Sequence, residues 1–205
     1  IDFQLSHDDP VEPHRVLRAI TLRCRTPTIF RPSIAKYVYE RYCPRGGSAW
    51  DPCSGYGGRL LGAYAAGVRY IGTDVDEKTT EGNRRLAKAI GASAEIHCTP
   101  AETFDPGKVN LVFTSPPYFD REMYSSAKSQ SWMRYDTVDK WVEGFLLPVV
   151  QRAHASLAAG EHLALNIADL KERNNGIPLV ARTIETALAC GFDHVDTLQM
   201  PLAAI

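Results

Sequence analysis

Short apolar runs alternate with stretches of helical periodicity along this chain of 205 residues. Apolar residues that recur every three or four positions predict helices, the first with Ser33 as its N-cap and a long amphipathic one from Val142 to Leu157. Strands that alternate with helices are typical of a mostly parallel sheet with helices on both faces, so we predict an α/β fold. The six predicted strands cover Ala49–Asp51, Arg69–Thr73, Ala94–Cys98, Asn110–Thr114, His162–Ile167 and Phe192–Leu198.

The spacing of these elements indicates one domain with a short N-terminal extension. Residues 29–205 hold all the predicted strands and helices, and a chain of this length buries a full hydrophobic core. We interpret residues 1–28 as an N-terminal extension or lid. The chain does not begin with Met and stops soon after the sixth predicted strand, where we expect one further strand.

Charge and composition narrow the classes of function. Lys and Arg number 23 against 24 Asp and Glu, whereas a domain that binds duplex DNA by itself normally carries a positive excess. No apolar run approaches the roughly 20 residues of a membrane span and no signal peptide is visible, so we expect a cytoplasmic protein without a membrane partner. The five cysteines are scattered without a CxxC pair, which predicts reduced thiols and no metal site.

A glycine-rich turn follows the first predicted strand and leads into a helix. Glycines let the backbone approach a ligand closely, and the helix N-terminus offers free N–H groups, so this turn suits a nucleotide. The second strand ends at Asp74, which we expect to accept hydrogen bonds from ribose hydroxyls; the alternative role of Asp74 is an N-cap. For Asp51, a role in organising the loop is the better interpretation than a contact with the ligand. The predicted contacts are Asp51, Cys53, Ser54, Gly55, Tyr56, Gly57, Asp74 and Val75.

The third predicted strand ends close to Ala101 and Glu102. In a nucleoside-binding sheet this position touches the adenine edge, so we expect the Ala101 amide or the Glu102 carboxylate to contact the base of the cofactor. An exposed loop acid is an equally good interpretation of Glu102.

The fourth predicted strand runs into Ser115, Pro116, Pro117 and Tyr118, from which we predict catalysis. Prolines lack an N–H and fix φ, so this loop presents carbonyl acceptors rigidly and with few donors. An exocyclic amine is a poor nucleophile because its lone pair is delocalised into the ring. The Ser115 hydroxyl and the Pro116 carbonyl can accept its two hydrogens and turn the lone pair outward. Tyr118 is suited to stack on a base, which contributes about 1–3 kcal/mol.

These motifs together resemble the amino-group DNA methyltransferases, which act on cytosine N4 or adenine N6. The resemblance runs from Phe30 to Met200, and its loop Thr114–Tyr118 is similar to the form typical of this subgroup, with a serine that favours cytosine. It implies a Rossmann-like fold, S-adenosyl-L-methionine (SAM) as cofactor and direct in-line methyl transfer to nitrogen. It further implies cofactor contacts from Arg31, Pro32, Ser33 and Ser115, and substrate contacts from Tyr118, Gln130, Trp132, Arg134, Tyr135, Asn166 and Asp169.

Three of these substrate residues have a structural alternative. Trp132 and Tyr135 can instead be aromatic residues of the hydrophobic core. Asn166 can instead form a hydrogen bond to a backbone group at a strand end. The insert from Phe119 to Asp139 is only mildly basic in its middle, so we interpret it as a lid.

The chain departs from this family because no target-recognition segment is visible after Asp169. A DNA substrate is therefore expected to be bound through a partner protein or a recognition segment outside this sequence. Two alternatives stay open: a small-molecule transferase, and an enzyme that cyclises the aminocarboxypropyl arm of SAM and releases methylthioadenosine. A SAM-binding subunit without chemistry is disfavoured because the Ser-Pro-Pro-Tyr loop is intact. The oligomeric state is not predicted.

Overall fold

The computed structural model describes residues 29–117, 135, 137–169 and 178–200, so the predicted extension and most of the predicted lid lie outside it. The helices are α1 (Pro32–Tyr42), α2 (Gly58–Ala66), α3 (Glu77–Ile90), α4 (Val138–Trp141), α5 (Leu147–Ser156) and α6 (Leu179–Ala189). The strands are β1 (Ser48–Asp51), β2 (Arg69–Asp74), β3 (Ala94–Cys98), β4 (Leu111–Thr114) and β5 (His162–Leu165). Within these ranges, no helix has both the length and the apolar character that crossing a bilayer requires.

The five strands form one sheet in the order β3-β2-β1-β4-β5, and every neighbouring pair is parallel. From β1 the chain builds outward to one edge through β2 and β3, and then returns to fill the other side with β4 and β5. The crevice outside the carboxyl ends of β1 and β4 is therefore a topological switch point, where ligands bind in open α/β sheets. The predicted α/β fold and its first five strands are confirmed.

Apolar side chains cover both faces of the sheet, because successive strand residues point to opposite sides. One core cluster surrounds Tyr70 and Leu111 and includes α1 and α2. The other surrounds Trp50 and Val112 and is closed by α4 to α6, with Trp141 fully buried. Helices on both faces of the sheet were the arrangement expected from the alternating pattern.

The predicted sixth strand, Phe192–Leu198, is wrong, because residues 192–200 adopt no regular secondary structure. The Phe192 ring packs edge-on against His154, but Val195 is 77% exposed and Leu198 is 49% exposed. A strand forms only where a neighbour accepts and donates the ladder hydrogen bonds. Among the described residues, β5 pairs with β4 alone, so this segment does not extend the sheet.

Two helix predictions also differ from the structure. Helix α1 begins at Pro32, and Arg31 occupies the N-cap position that we predicted for Ser33. Proline suits the first helical position because its fixed φ is helical and its missing N–H would have no partner there. The long predicted helix is interrupted, since residues Val142–Leu146 form a π-helical turn between α4 and α5.

Helices α1 and α2 cross closely at Gly62, where an added Cβ would lie 2.4 Å from the Ala35 Cβ and 2.8 Å from the Lys36 backbone nitrogen. Gly62→Ala is expected to lower the free energy of unfolding by about 1–3 kcal/mol, because the helices must move apart. The matched control is Gly82→Ala in α3, where nothing lies within 4 Å of the added Cβ. The control should raise stability by about 0.5–1 kcal/mol. Equal urea-denaturation midpoints for the two variants would contradict the close crossing.

Candidate active site

Hydrogen bonds hold the glycine-rich turn over the carboxyl ends of three strands. The Cys53 N–H donates to Thr114 Oγ1 at the end of β4, with a distance of 3.1 Å. The Ser54 N–H donates to the Thr73 carbonyl of β2 at 2.8 Å. The turn that follows β1 is thus fixed between β2 and β4, and it adjoins the loop that begins at Ser115.

The backbone of the turn takes the left-handed conformation twice, at Gly55 with φ 52° and at Gly57 with φ 82°. Residues other than glycine rarely adopt this backbone conformation. Asn83 of α3 supports the turn from below, since its Nδ2 donates to the Gly55 carbonyl at 2.8 Å and to Ser54 Oγ at 3.3 Å. A Cβ added at Gly55 would find its nearest described neighbour, the Cys53 carbonyl oxygen, at 3.9 Å. The turn is therefore packed on one side and open on the other.

Asp74 ends β2 and accepts two backbone hydrogen bonds, from the Gly55 N–H to Oδ2 at 3.0 Å and from the Asp76 N–H to Oδ1 at 3.0 Å. The alternative role as an N-cap is wrong, because Asp76 caps α3 and accepts from the Thr79 N–H at 2.8 Å. Burial raises the pKa of Asp74, and the two N–H groups oppose that shift. A carboxylate offers about four acceptor positions. Asp74 therefore keeps capacity for two further donors.

Asp51 is fully buried, and its Oδ2 accepts from Arg59 Nε at 2.7 Å and from the Tyr70 hydroxyl at 2.6 Å. Arg59 also donates to the Cys53 carbonyl and lies 5.4 Å from the centre of the Phe30 ring. Burial alone lowers the pKa of the Arg59 guanidinium, but the charge of Asp51 outweighs it and raises that pKa, so Arg59 is cationic. This geometry favours the interpretation in which Asp51 organises the loop.

Sequence reasoning missed Arg59 as a partner for this acid. Helix α2 is otherwise built of small, apolar and aromatic residues, and Arg59 is buried in its first turn. A charged residue on such a buried helix requires a buried partner. The acid eight residues earlier, at the end of the preceding strand, was the available signal.

The segment before α1 lies against the start of α2. A Cβ added at Gly58 would lie 2.0 Å from the Phe30 carbonyl oxygen, so only glycine permits this approach. Arg31, Pro32 and Ser33 follow directly and are exposed. The structure thus brings these three predicted cofactor residues to the same end of α2 as the glycine-rich turn.

The segment after β3 lies beside the end of β2, because the Thr99 N–H donates to the Asp74 carbonyl at 2.9 Å. Ala101 is buried and begins a short 3₁₀ turn, Ala101–Thr103. This places the two residues predicted to read adenine on the Asp74 side of the crevice. Among the predicted cofactor residues at the carboxyl edge of the sheet, Tyr56 is exposed, and the half-buried ones are Cys53, Gly55, Asp74, Val75, Glu102 and Ser115.

Ser115 and Asn166 are 51 residues apart and meet at the carboxyl ends of β4 and β5. The Ser115 hydroxyl donates to the Asn166 backbone carbonyl at 3.3 Å, and Asn166 Nδ2 donates to Ser115 Oγ at 3.0 Å. Pro116 is buried and Pro117 is half-buried, whereas Tyr118 lies outside the described residues. The structure therefore joins a predicted catalytic residue to a predicted substrate residue.

Tyr135 and Asp169 have structural partners. The Tyr135 hydroxyl donates at 2.6 Å to the Gly144 carbonyl, which Pro148 cannot serve because it has no N–H. Asp169 Oδ1 accepts from the Val180 N–H at 2.9 Å in the first turn of α6, where helical N–H groups lack internal partners. Both contacts favour a structural role for Tyr135 and Asp169 over the predicted contact with a substrate. Three predicted substrate residues lie outside the described residues: Gln130, Trp132 and Arg134.

Comparison with known proteins gives matches among solved structures, while no family model and no curated protein matches the chain. A methyltransferase from Pyrococcus furiosus is 16% identical, with a TM-score of 0.59 over 88% of this chain and 87% of that one. SMU.1697c from Streptococcus mutans, in complex with S-adenosylhomocysteine (SAH), is 14% identical, with a TM-score of 0.53 over 87% and 93%. TrmN from Thermus thermophilus is 20% identical, with a TM-score of 0.51 over 74% of this chain.

The chain spans 41% of TrmN but most of the other two proteins. At these identities the likeness concerns the fold. The strand order, the parallel pairing and these matches agree: the chain has the Rossmann-like fold of the SAM-dependent methyltransferases.

Proposed function

We propose that the chain is a SAM-dependent methyltransferase that transfers a methyl group to an exocyclic amine of a nucleic-acid base, cytosine N4 or adenine N6. The observation that carries this proposal is the 3.1 Å hydrogen bond from the Cys53 N–H to Thr114 Oγ1. It holds a turn suited to a nucleoside directly beside a loop suited to an amine. Both lie at the switch point of the sheet, where such ligands bind.

The residues of this edge fit SAM. Gly55 offers an open stretch of backbone, and Asp74 has acceptor positions for two ribose hydroxyls. Arg31 is exposed at the end of α2 beside the turn, as expected for a contact to the methionine carboxylate. The Tyr56 ring is 41% exposed and suits cation–π attraction to a sulfonium, worth about 0.5–2 kcal/mol. Bound SAM supplies an electrophilic methyl group on that sulfonium.

Ser115 and Pro116 act on the amine in this proposal. The Ser115 Oγ and the Pro116 carbonyl accept its two hydrogens, which turns the nitrogen lone pair away from the ring and toward the turn after β1. As the nitrogen–methyl bond forms, the sulfur–methyl bond breaks, and the methylated nitrogen, which becomes cationic and acidic, releases one proton to water. No strong base is needed, because fixing two reactants in attack geometry contributes several kcal/mol by itself, on the order of 7 or more in the best cases. Tyr118 is assigned to stack on the base.

Methyl transfer to defined oligonucleotides tests the acceptor. Single-stranded DNA is the appropriate substrate, because the balanced charge of the chain predicts duplex binding weaker than about micromolar at physiological salt. With methyl-labelled SAM, label is expected in oligonucleotides whose only amine base is dC or dA, and not in an oligonucleotide of dT. Label in free nucleosides or other small amines alone would contradict the nucleic-acid substrate.

Asp74→Ala is expected to weaken binding of both SAM and SAH by about tenfold to a hundredfold, the loss expected for hydrogen bonds to a charged group. Isothermal titration calorimetry measures the affinities. Glu161→Ala is the control, because Glu161 lies at the opposite edge of the sheet, where it accepts from Asn110 Nδ2. Unchanged affinity in Asp74→Ala would show that Asp74 is not the ribose ligand.

A further inference from the structure

Hydrogen bonds among the described residues use two of the three bonding positions of the Ser115 hydroxyl. A serine hydroxyl has one hydrogen to donate and two lone pairs that accept. The hydrogen is directed to the Asn166 backbone carbonyl at 3.3 Å, and one lone pair accepts from Asn166 Nδ2 at 3.0 Å. Within the part of the chain that the structure describes, the second lone pair has no partner. A partner that approaches Ser115 from the crevice therefore meets an acceptor.

The main chain of Asn166 holds this arrangement in register. Thr114 pairs with Leu165 in the parallel β4–β5 ladder, and the Asn166 N–H continues that ladder by donating to the Thr114 carbonyl at 2.9 Å. The Asn166 carbonyl and amide thus reach Ser115 from a backbone position that the sheet fixes. Replacing the side chain removes the Nδ2 donor and leaves the carbonyl in place.

We propose that Asn166 is a positioning residue that restricts Ser115 to accepting a hydrogen bond and so selects a methyl acceptor with an N–H facing it. This inference rests on the proposed function and adds the residue that makes Ser115 select an amine. Without Asn166 Nδ2, the Ser115 hydroxyl keeps its bond to the Asn166 carbonyl but loses the second bond that fixes its direction, so it rotates more easily to donate to a carbonyl oxygen of a substrate. With Nδ2 in place, two hydrogen bonds hold the hydroxyl in the orientation that accepts from an amine.

Asn166 therefore differs from a residue that touches the substrate. One of its two amide hydrogens is directed to Ser115 Oγ, and in this proposal its effect on turnover passes through that hydroxyl. Two residues that act as one unit give effects that do not add in the double variant. The dependence of one substitution on the presence of the other is the readout that separates positioning from a structural role.

The test is a double-mutant cycle on amine methylation with SAM and a single-stranded oligonucleotide that carries the reactive base. Asn166→Ala should lower kcat by about tenfold with the KM for SAM unchanged, the size expected for one lost hydrogen bond in the transition state. Asn166→Asp should lose more, because its carboxylate cannot donate and draws the Ser115 hydrogen toward itself. In a Ser115→Ala background, Asn166→Ala should change kcat by less than about twofold.

Asn110→Ala is the matched control for the loss of an asparagine side chain. Asn110 immediately precedes β4, at its amino end, where it accepts from the Ser48 N–H at 3.0 Å and donates to Glu161 at 3.0 Å. It should lower the melting temperature and leave kcat unchanged. Equal kcat losses from Asn166→Ala with and without Ser115 would overturn the inference and leave the proposed function standing. Absence of transfer from SAM to any amine by the unaltered chain, with SAM still bound, would overturn both.

Discussion

Replacing Arg59 by methionine is expected to lower the free energy of unfolding by about 3–5 kcal/mol, because it leaves a fully buried carboxylate without its cation. Asp51 and Arg59 are joined at 2.7 Å, and their side chains are 0% and 5% exposed. The substitution keeps much of the volume of Arg59 and removes only its charge and hydrogen bonds. Urea denaturation with a two-state fit measures the loss.

An exposed ion pair provides the control for this variant. Lys36 and Glu40 lie 2.6 Å apart on α1 and are 42% and 52% exposed. Lys36→Met should cost no more than about 0.5 kcal/mol, because an exposed helical pair gains little over hydrated charges. A loss below about 1 kcal/mol in Arg59→Met would contradict the assignment of Asp51 and Arg59 as the element that organises the turn.

Ser115→Ala is expected to lower kcat by about 10-fold to 1,000-fold with little change in SAM affinity, since the lost acceptor acts mainly in the transition state. Steady-state kinetics with varied SAM separates the two parameters. Ser156→Ala is the control: Ser156 ends α5, and its hydroxyl donates to carbonyls of its own helix, Arg152 at 2.9 Å and Ala153 at 3.0 Å. An unchanged kcat in Ser115→Ala would contradict the assignment of this loop as the site that binds the amine.

The order of strands and helices could be predicted from the local sequence pattern, because the central strands are buried on both faces and are therefore apolar throughout. All four residues of β4 are buried, and such strands read as continuous apolar runs in any sequence. The segment Phe192–Leu198 instead sets apolar residues between polar ones, and among the described residues it has no neighbouring strand to pair with. Whether this segment forms a strand depends on a neighbouring strand, and the periodicity of one segment carries no information about its neighbours.

The site was predicted in part for a similar reason. Carboxyl ends of parallel strands meet at one edge, so the glycine-rich turn, Asp74 and Ser115 could be grouped from strand positions alone. The pairing of Asn166 with Ser115 depends on side-chain geometry across 51 residues, and the pairing of Arg59 with Asp51 on the direction of one buried side chain. The first pairing was out of reach of spacing arguments, whereas a charged residue on a buried helix, eight residues after an acid, was a signal for the second.

The most direct test of the central claim is to identify both products of SAM turnover by mass spectrometry. The chain is incubated with SAM and a single-stranded oligonucleotide that contains dC and dA. Methyl transfer to an amine predicts SAH and a base carrying one added methyl group, formed in equal amounts. Methylthioadenosine in place of SAH, with the oligonucleotide unmodified, would contradict methyl transfer and leave only the fold and the cofactor site.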